Sequence, residues 1–404
     1  MTLRKIRTAT ALSCAALAGS ALLAGCQSDS ASKPTTVSPT SAPHGYVEGA
    51  DETSEQQSRL VLADAGTGTV GVLDLVTGNL TPLKQTDDVQ GVRTDGRFAY
   101  LTTADAAHIV DSGAWTVDHG DHVHYYRADI RDVGTISGEM PAHIHSDPAV
   151  TAVSFEAGLP RLFDREKLEN GAVGRDRVLP DAGRGAVVPY KEHLLVAATG
   201  TEQDTVEIRN RKGKYVASLA EPCARPRGEA VTRRGVVFGC ADGALLVSEE
   251  KGTFSAEKIA YGKAVSAAER AMDFRHRAGS TTLAAKSGND AVWVLDVTNR
   301  SWTRIETGPV AAANSAGEGA PLLALGKDGL LTAYDTATNK RTAHRKLLPA
   351  QDASSASIEV DTSRAYVNGA ASRKIYEIDY NDRLRLARTF PLDFTPTYMV
   401  ETGR

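Results

Sequence analysis

The chain is short of residues that many enzymes and cofactor proteins depend on. It has four cysteines in 404 residues, and no two are spaced Cys-x-x-Cys, so a Cys-rich zinc site is not expected. No Gly-x-Ser-x-Gly occurs, which removes the nucleophile elbow of the common hydrolases. Basic runs are absent, and 46 Lys and Arg against 50 Asp and Glu give a formal net charge of −4, so nothing points to nucleic acid. Helix signals are scarce as well. Residues 257–271 have helical composition only in part, and their place between strand-like runs favours strand and loop.

One long apolar run is present, and it lies at the start. A cationic opening (Met-Thr-Leu-Arg-Lys-Ile-Arg) precedes an apolar stretch over 9–23, followed by Leu23-Ala-Gly-Cys26. This order is that of a secretory signal, and the run is too short for a confident membrane span. Leu-Ala-Gly-Cys resembles the bacterial lipobox, in which the Cys is lipidated. Residues 1–25 are therefore expected to be a lipoprotein signal peptide. Cys26 is the expected lipidation site, and the chain is expected to be extracytoplasmic and to meet the membrane through this lipid only. From 26 to 57 the chain is Ser, Thr, Pro, Ala and acidic residues, a composition that reads as a disordered tether. Cys223 and Cys240 remain, an even pair in an oxidising compartment. A disulfide between them is expected, with two buried thiols as the alternative.

From residue 58 to 404 the sequence repeats a theme: a short apolar strand, a Gly- or Asp-rich turn, a strand ending in Asp, a Thr/Asn/Gly turn and a third strand. Copies begin near Arg59, Gly96, Ala149, His193, Gly235, Thr281, Pro321 and Arg364. Intervals of roughly 37 to 52 residues are in the range typical of four-stranded propeller blades. The expected fold is all-β, a single β-propeller of eight blades, with seven as the alternative. The segment 395–401 is an innermost strand without a blade of its own, and the segment from Leu60 lacks one, so pairing of the two ends should close the ring. Asp74, Asp296, Asp335 and Asp379 end the second strands. An Asp that recurs in blade after blade is turn chemistry rather than a catalytic group.

Five of the ten histidines lie between 119 and 145. Residues 118–126 read Asp-His-Gly-Asp-His-Val-His-Tyr-Tyr, placing His119, Asp121, His122 and His124 together, and His143 and His145 follow. Imidazole with carboxylate is a usual donor set for zinc and related ions. His122 and His124 share one face of a strand, as do His143 and His145. The repeat places 123–126 as the third strand of the second blade and 141–145 as the innermost strand of the third, making a joint site feasible. His108 and His193, flanked by apolar residues, read as structural. His276 and His344 sit beside arginines that disfavour a metal.

The run from Trp115 through Tyr126, the following Pro141-Ala-His143, and a Cys223…Gly228-Glu-Ala…Gly239-Cys-Ala-Asp-Gly243 run resemble the secreted zinc metallochaperones of the AztD type. That resemblance implies a β-propeller that passes Zn2+ to the solute-binding protein of a zinc ABC importer and is not an enzyme. It also implies a zinc role for His119, Asp121, His122, His124 and His143, and it supports the Cys223–Cys240 disulfide. A monomer is expected. Two features depart from the family pattern: Arg227 precedes Gly228-Glu-Ala where a histidine is expected, and the tether holds a single histidine, His44. Arginine does not ligate zinc, so a metal-free binding or scaffold lipoprotein is the alternative. A lactonase-like enzyme is a third reading. A quinoprotein dehydrogenase is disfavoured, because three tryptophans are too few for its repeated docking motif.

Overall fold

Short apolar runs broken by Gly, Asp and Asn give strands and tight hairpins, and the protein is all-β. The computed structural model describes residues 49–120, 122–198 and 204–404. The expected signal segment, Cys26, most of the expected tether and Asp121 lie outside the described residues. Within them are seven four-stranded and two three-stranded antiparallel sheets. The helices are short, Arg165–Glu169, Ala267–Glu269 and Ala350–Ala353. None is long and apolar enough to cross a membrane.

All eight repeat starts fall at or beside the start of a strand: Arg59–Ala63, Phe98–Thr102, Val150–Phe155, His193–Ala198, Gly235–Cys240, Thr282–Ser287, Leu322–Gly326 and Ala365–Gly369. In six of these sheets an inner strand precedes this one, and the Arg275–Ala284 bridge takes its place beside Thr282–Ser287. The inner strand for Arg59–Ala63 comes from the far end of the chain. Tyr398–Thr402 pairs with it antiparallel, from Arg59 opposite Thr402 to Ala63 opposite Tyr398. Inner edges of consecutive sheets pack side by side, as Pro141–Ser146 does on Val187–Tyr190 and Val310–Ser315 on Ile358–Val360.

The core lies between the sheets, so both faces of a strand are apolar. Along Arg59–Ala63, Leu60 and Leu62 pack with Tyr366, Ile375 and Phe390. Val61 and Ala63 face the other way, onto Val72, Ala99 and Leu101. This is period-2 alternation with two buried faces. Each large side chain so buried contributes about 1.5–3 kcal/mol.

The recurrent aspartates cap turns. Asp74 Oδ1 accepts from the amides of Val76 and Thr77 at 3.0 and 2.8 Å, and Asp335 Oδ1 accepts from Ala337 and Thr338 at 2.9 and 2.8 Å. Cys223 and Cys240 form a disulfide that joins the loop before strand Glu229–Thr232 to the end of its neighbour.

Two expectations need correction. Val123–Arg127 is not the third, outer strand of the second repeat. Arg131–Ser137 takes that outer place, pairing with Ala106–Asp111. Val123–Arg127 instead turns back on Ala114–Asp118 to make a hairpin inserted between the third and fourth strands of that sheet. The hairpin has a reason to stand alone: Trp115 and Tyr126 are opposite each other and stack at 5.4 Å. The second correction concerns the C-terminal end of the expected tether, which is not loose chain. Asp51–Thr53 adds a third strand to the hairpin, with Glu52 opposite Tyr126.

Candidate metal centre

The inserted sheet is held firmly at its base. Ala50, Trp115 and Tyr126 form its small core. The Arg97 guanidinium lies 3.8 Å from the centre of the Trp115 ring, and is itself fixed by Asp111 through bonds of 3.2 and 2.8 Å. The chain enters the hairpin through Gly113, at φ +67°. A Cβ there would lie 2.3 Å from the Ala128 carbonyl oxygen, so only glycine fits.

At its tip the hairpin carries the histidines. Strand Ala114–Asp118 ends in Asp118, whose Oδ1 accepts from the Gly120 amide at 2.7 Å. Gly120 supplies the left-handed residue of the turn, at φ +90°. The His119 amide donates to the His122 carbonyl at 3.0 Å and closes the loop. His119, His122 and His124 therefore converge, with their ligand atoms all within 4.8 Å of one another. The His119 and His122 rings stack at 4.7 Å, and His124 stands edge-on to both at 5.2 and 4.9 Å. His119 and His122 are exposed and His124 is half-buried.

His124 has a carboxylate behind it. Its Nδ1 lies 2.7 Å from Glu52 Oε1. An ionised carboxylate only accepts, so Nδ1 carries the proton and Nε2 has the lone pair that can ligate. Asp118 makes an ion pair elsewhere, with Oδ2 3.2 Å from Arg233 on a distant turn.

His143 and His145 meet a different carboxylate. Both sit on the inner strand Pro141–Ser146, and Glu229 opens the inner strand Glu229–Thr232. Glu229 Oε1 is 2.7 Å from His143 Nδ1 and 2.8 Å from His145 Nε2. Burial alone would raise the Glu229 carboxyl. The hydrogen bonds from the two imidazoles outweigh it and hold the group well below the ordinary carboxylate range. His143 and His145 are thus a second His–carboxylate group, joined across two sheets.

His108, His193 and His276 have ordinary surroundings. His108 Nδ1 lies 3.0 Å from Thr135 Oγ1, and His193 Nδ1 lies 2.8 Å from the Lys191 carbonyl. Burial, with Arg404 nearby, pushes His276 down to about 4. Arg227 is exposed, and its amide donates to Gly239 at 2.8 Å.

Two members of the site were missed from sequence. Glu52 lay in a stretch whose composition reads as tether. Glu229 stood in the Gly-Glu-Ala run, where its spacing from the histidines gave no sign that they meet.

No protein-family model matches the chain, and no curated protein matches it. Solved structures do. AztD from Citrobacter koseri in its apo form superposes with a TM-score of 0.70 at 16% identity, over 86% of this chain and 98% of that one. A second crystal structure of Citrobacter koseri AztD gives the same figures. The dihydro-heme d1 dehydrogenase NirN gives a TM-score of 0.55 at 14% identity, over 85% of this chain and 75% of that one. The chain has the AztD-type fold.

Proposed function

We propose that this protein is an extracytoplasmic zinc metallochaperone that captures Zn2+ on the inserted hairpin and hands it to the solute-binding protein of an ABC importer. The observation that carries this reading is the convergence of His119, His122 and His124 within 4.8 Å, with Glu52 set on His124. Three imidazoles leave one tetrahedral position open, and three protein ligands with an open position suit an ion that must leave again. Asp121, next to His122 in sequence, keeps the zinc role that the resemblance implies for it.

Placement of the site favours exchange over storage. His119 and His122 are exposed at a hairpin tip. An incoming donor from a partner can therefore replace one imidazole at a time, so that the metal is never stripped to water. His143, His145 and Glu229 form a second donor group of the same chemistry. Eight sheets around one axis make an eight-bladed propeller in this reading, with 58–404 as the β-propeller domain. Residues 1–25 are the signal peptide, and 26 up to about 48 tether the monomer to the membrane through lipid on Cys26. The assignment is to binding and transfer, with no catalytic step.

Support comes from the donor set and from the TM-score of 0.70 to AztD. The test is transfer. Zinc-loaded protein is mixed with the metal-free solute-binding protein of a zinc importer, the two are separated, and zinc is measured in each. Zinc should move faster than it dissociates into a chelator of equal affinity. Transfer no faster than that free dissociation overturns direct handover.

A further inference from the structure

A cavity of about 330 Å³ lies where the inner edges of three consecutive sheets meet, and its charge is of the wrong sign for a metal. Arg270, Arg275 and Lys286 line it, against one carboxylate, Asp273. That carboxylate is already used by Arg275, at 3.3 Å. Ala311, Ala312 and Ala313 give it a wall of small side chains, and the Lys286 amine donates to the Ala311 carbonyl at 3.3 Å.

Arg270 is the unusual member. Its side chain is 6% exposed, yet among the described residues it makes no ion pair. Among the described residues its one side-chain hydrogen bond runs from Nη2 to the Arg225 carbonyl at 2.8 Å, and Nε is buried without a partner. Burial, with Arg225 and Arg227 nearby, lowers the guanidinium from its ordinary value. Other buried guanidinium groups here are matched, as Arg97 is by Asp111 at 2.8 Å and Arg209 by Glu207 at 2.7 Å. A buried cation beside two more arginines costs stability unless an anion answers it.

The cavity is remote from the hairpin. Its residues open the inner strands: Ala311 to Ala313 lie in the first half of Val310–Ser315, and Ser357 precedes Ile358–Val360. The hairpin touches residues that follow inner strands, through Asp118 on Arg233 after Glu229–Thr232 and Thr116 on Gly403 after Tyr398–Thr402. The two features lie at opposite ends of the inner strands.

The geometry points to a binding site for a small organic oxyanion in this cavity, its carboxylate or phosphate head taken by Arg270 and Lys286 and its carbon skeleton lying on the alanine wall. Arginine offers a planar fork to an oxyanion, and lysine adds a point charge at the rim. The site stands apart from the zinc reading and is tested without metal.

Calorimetric titration of the metal-free mature protein with citrate, and separately with inorganic phosphate, tests it. Citrate should bind and phosphate should bind more weakly. Lys286 is exposed, so Lys286→Ala should keep the fold and weaken citrate about tenfold, equivalent to about 1.4 kcal/mol. Arg270→Gln should abolish binding, with thermal unfolding as the control for its fold. Phosphate binding as tight as citrate overturns the organic ligand. No binding of either, or citrate affinity unchanged in Lys286→Ala, overturns the site.

Discussion

His124 Nδ1 lies 2.7 Å from Glu52 Oε1, and the two residues are 72 positions apart. Pairing of Asp51–Thr53 with Val123–Arg127 brings them together, so the segment before the first sheet is part of the histidine-bearing hairpin. Glu52 fixes the tautomer of His124 and aims its ring. Replacing it with Gln should lower zinc affinity about 10- to 100-fold, the usual effect of losing a carboxylate behind a ligating histidine. The Glu52 side chain is 48% exposed, so the unfolding temperature of metal-free protein should hardly change. Competition against a chromophoric chelator measures the first quantity and a thermal melt the second.

The disulfide makes a separate prediction. Cys223 and Cys240 close a loop of 17 residues. Opening a loop of that size costs about 3 kcal/mol. The double Cys→Ser variant should unfold at lower urea by that amount, and reductant should shift the parent protein but not the variant. Zinc affinity should stay the same, because the hairpin is anchored elsewhere.

Glu401 gives a pH dependence. It lies on the closing strand Tyr398–Thr402, fully buried, and among the described residues neither carboxylate oxygen has a hydrogen-bond partner. Arg404 Nη1 lies 3.9 Å from it and 3.6 Å from Glu359, so one guanidinium serves two carboxylates. Burial pushes Glu401 up to about 8. Asp361 and Glu359 push the same way, against Arg404. An acid whose folded value is raised keeps its proton in the folded state while the unfolded chain has lost it. Stability from this group is therefore highest at or below the unfolded value of 4.5 and falls as pH rises towards 8. The slope is at most about 1.4 kcal/mol per pH unit. Urea unfolding across pH 5 to 8 should show the decline, and Glu401→Gln should flatten it. A parallel decline in the variant would mean the slope comes from other groups.

Much of the fold could be read in the sequence because the repeat is written in residues that act locally. Apolar runs such as 60–63 and 322–325 mark strands, and Asp74 and Asp335 mark the turns that follow. Closure was legible because 398–402 is a strand with no hairpin partner near it. The inserted hairpin was not, since its strands look like blade strands and Trp115–Tyr126 stacking is a tertiary fact. One signal was there: from Gly96 to Ala149 the interval is 149 − 96 = 53 residues, the longest in the series. The His-rich turn stood out as a cluster of donors. Glu52 and Glu229 did not, because each acts on a histidine far away in sequence, and only the pairing of distant strands brings them there.

The central claim, that the hairpin is the metal-binding element, is tested most directly by equilibrium zinc binding to the mature protein and to two variants: His119/His122/His124→Ala and His143/His145→Ala. The account predicts that the first loses the tightest zinc site while its melting curve without metal is retained, and that the second keeps it. Unchanged zinc affinity in the hairpin variant, with loss in His143/His145→Ala, would contradict the account and move the site to Glu229 and its two histidines.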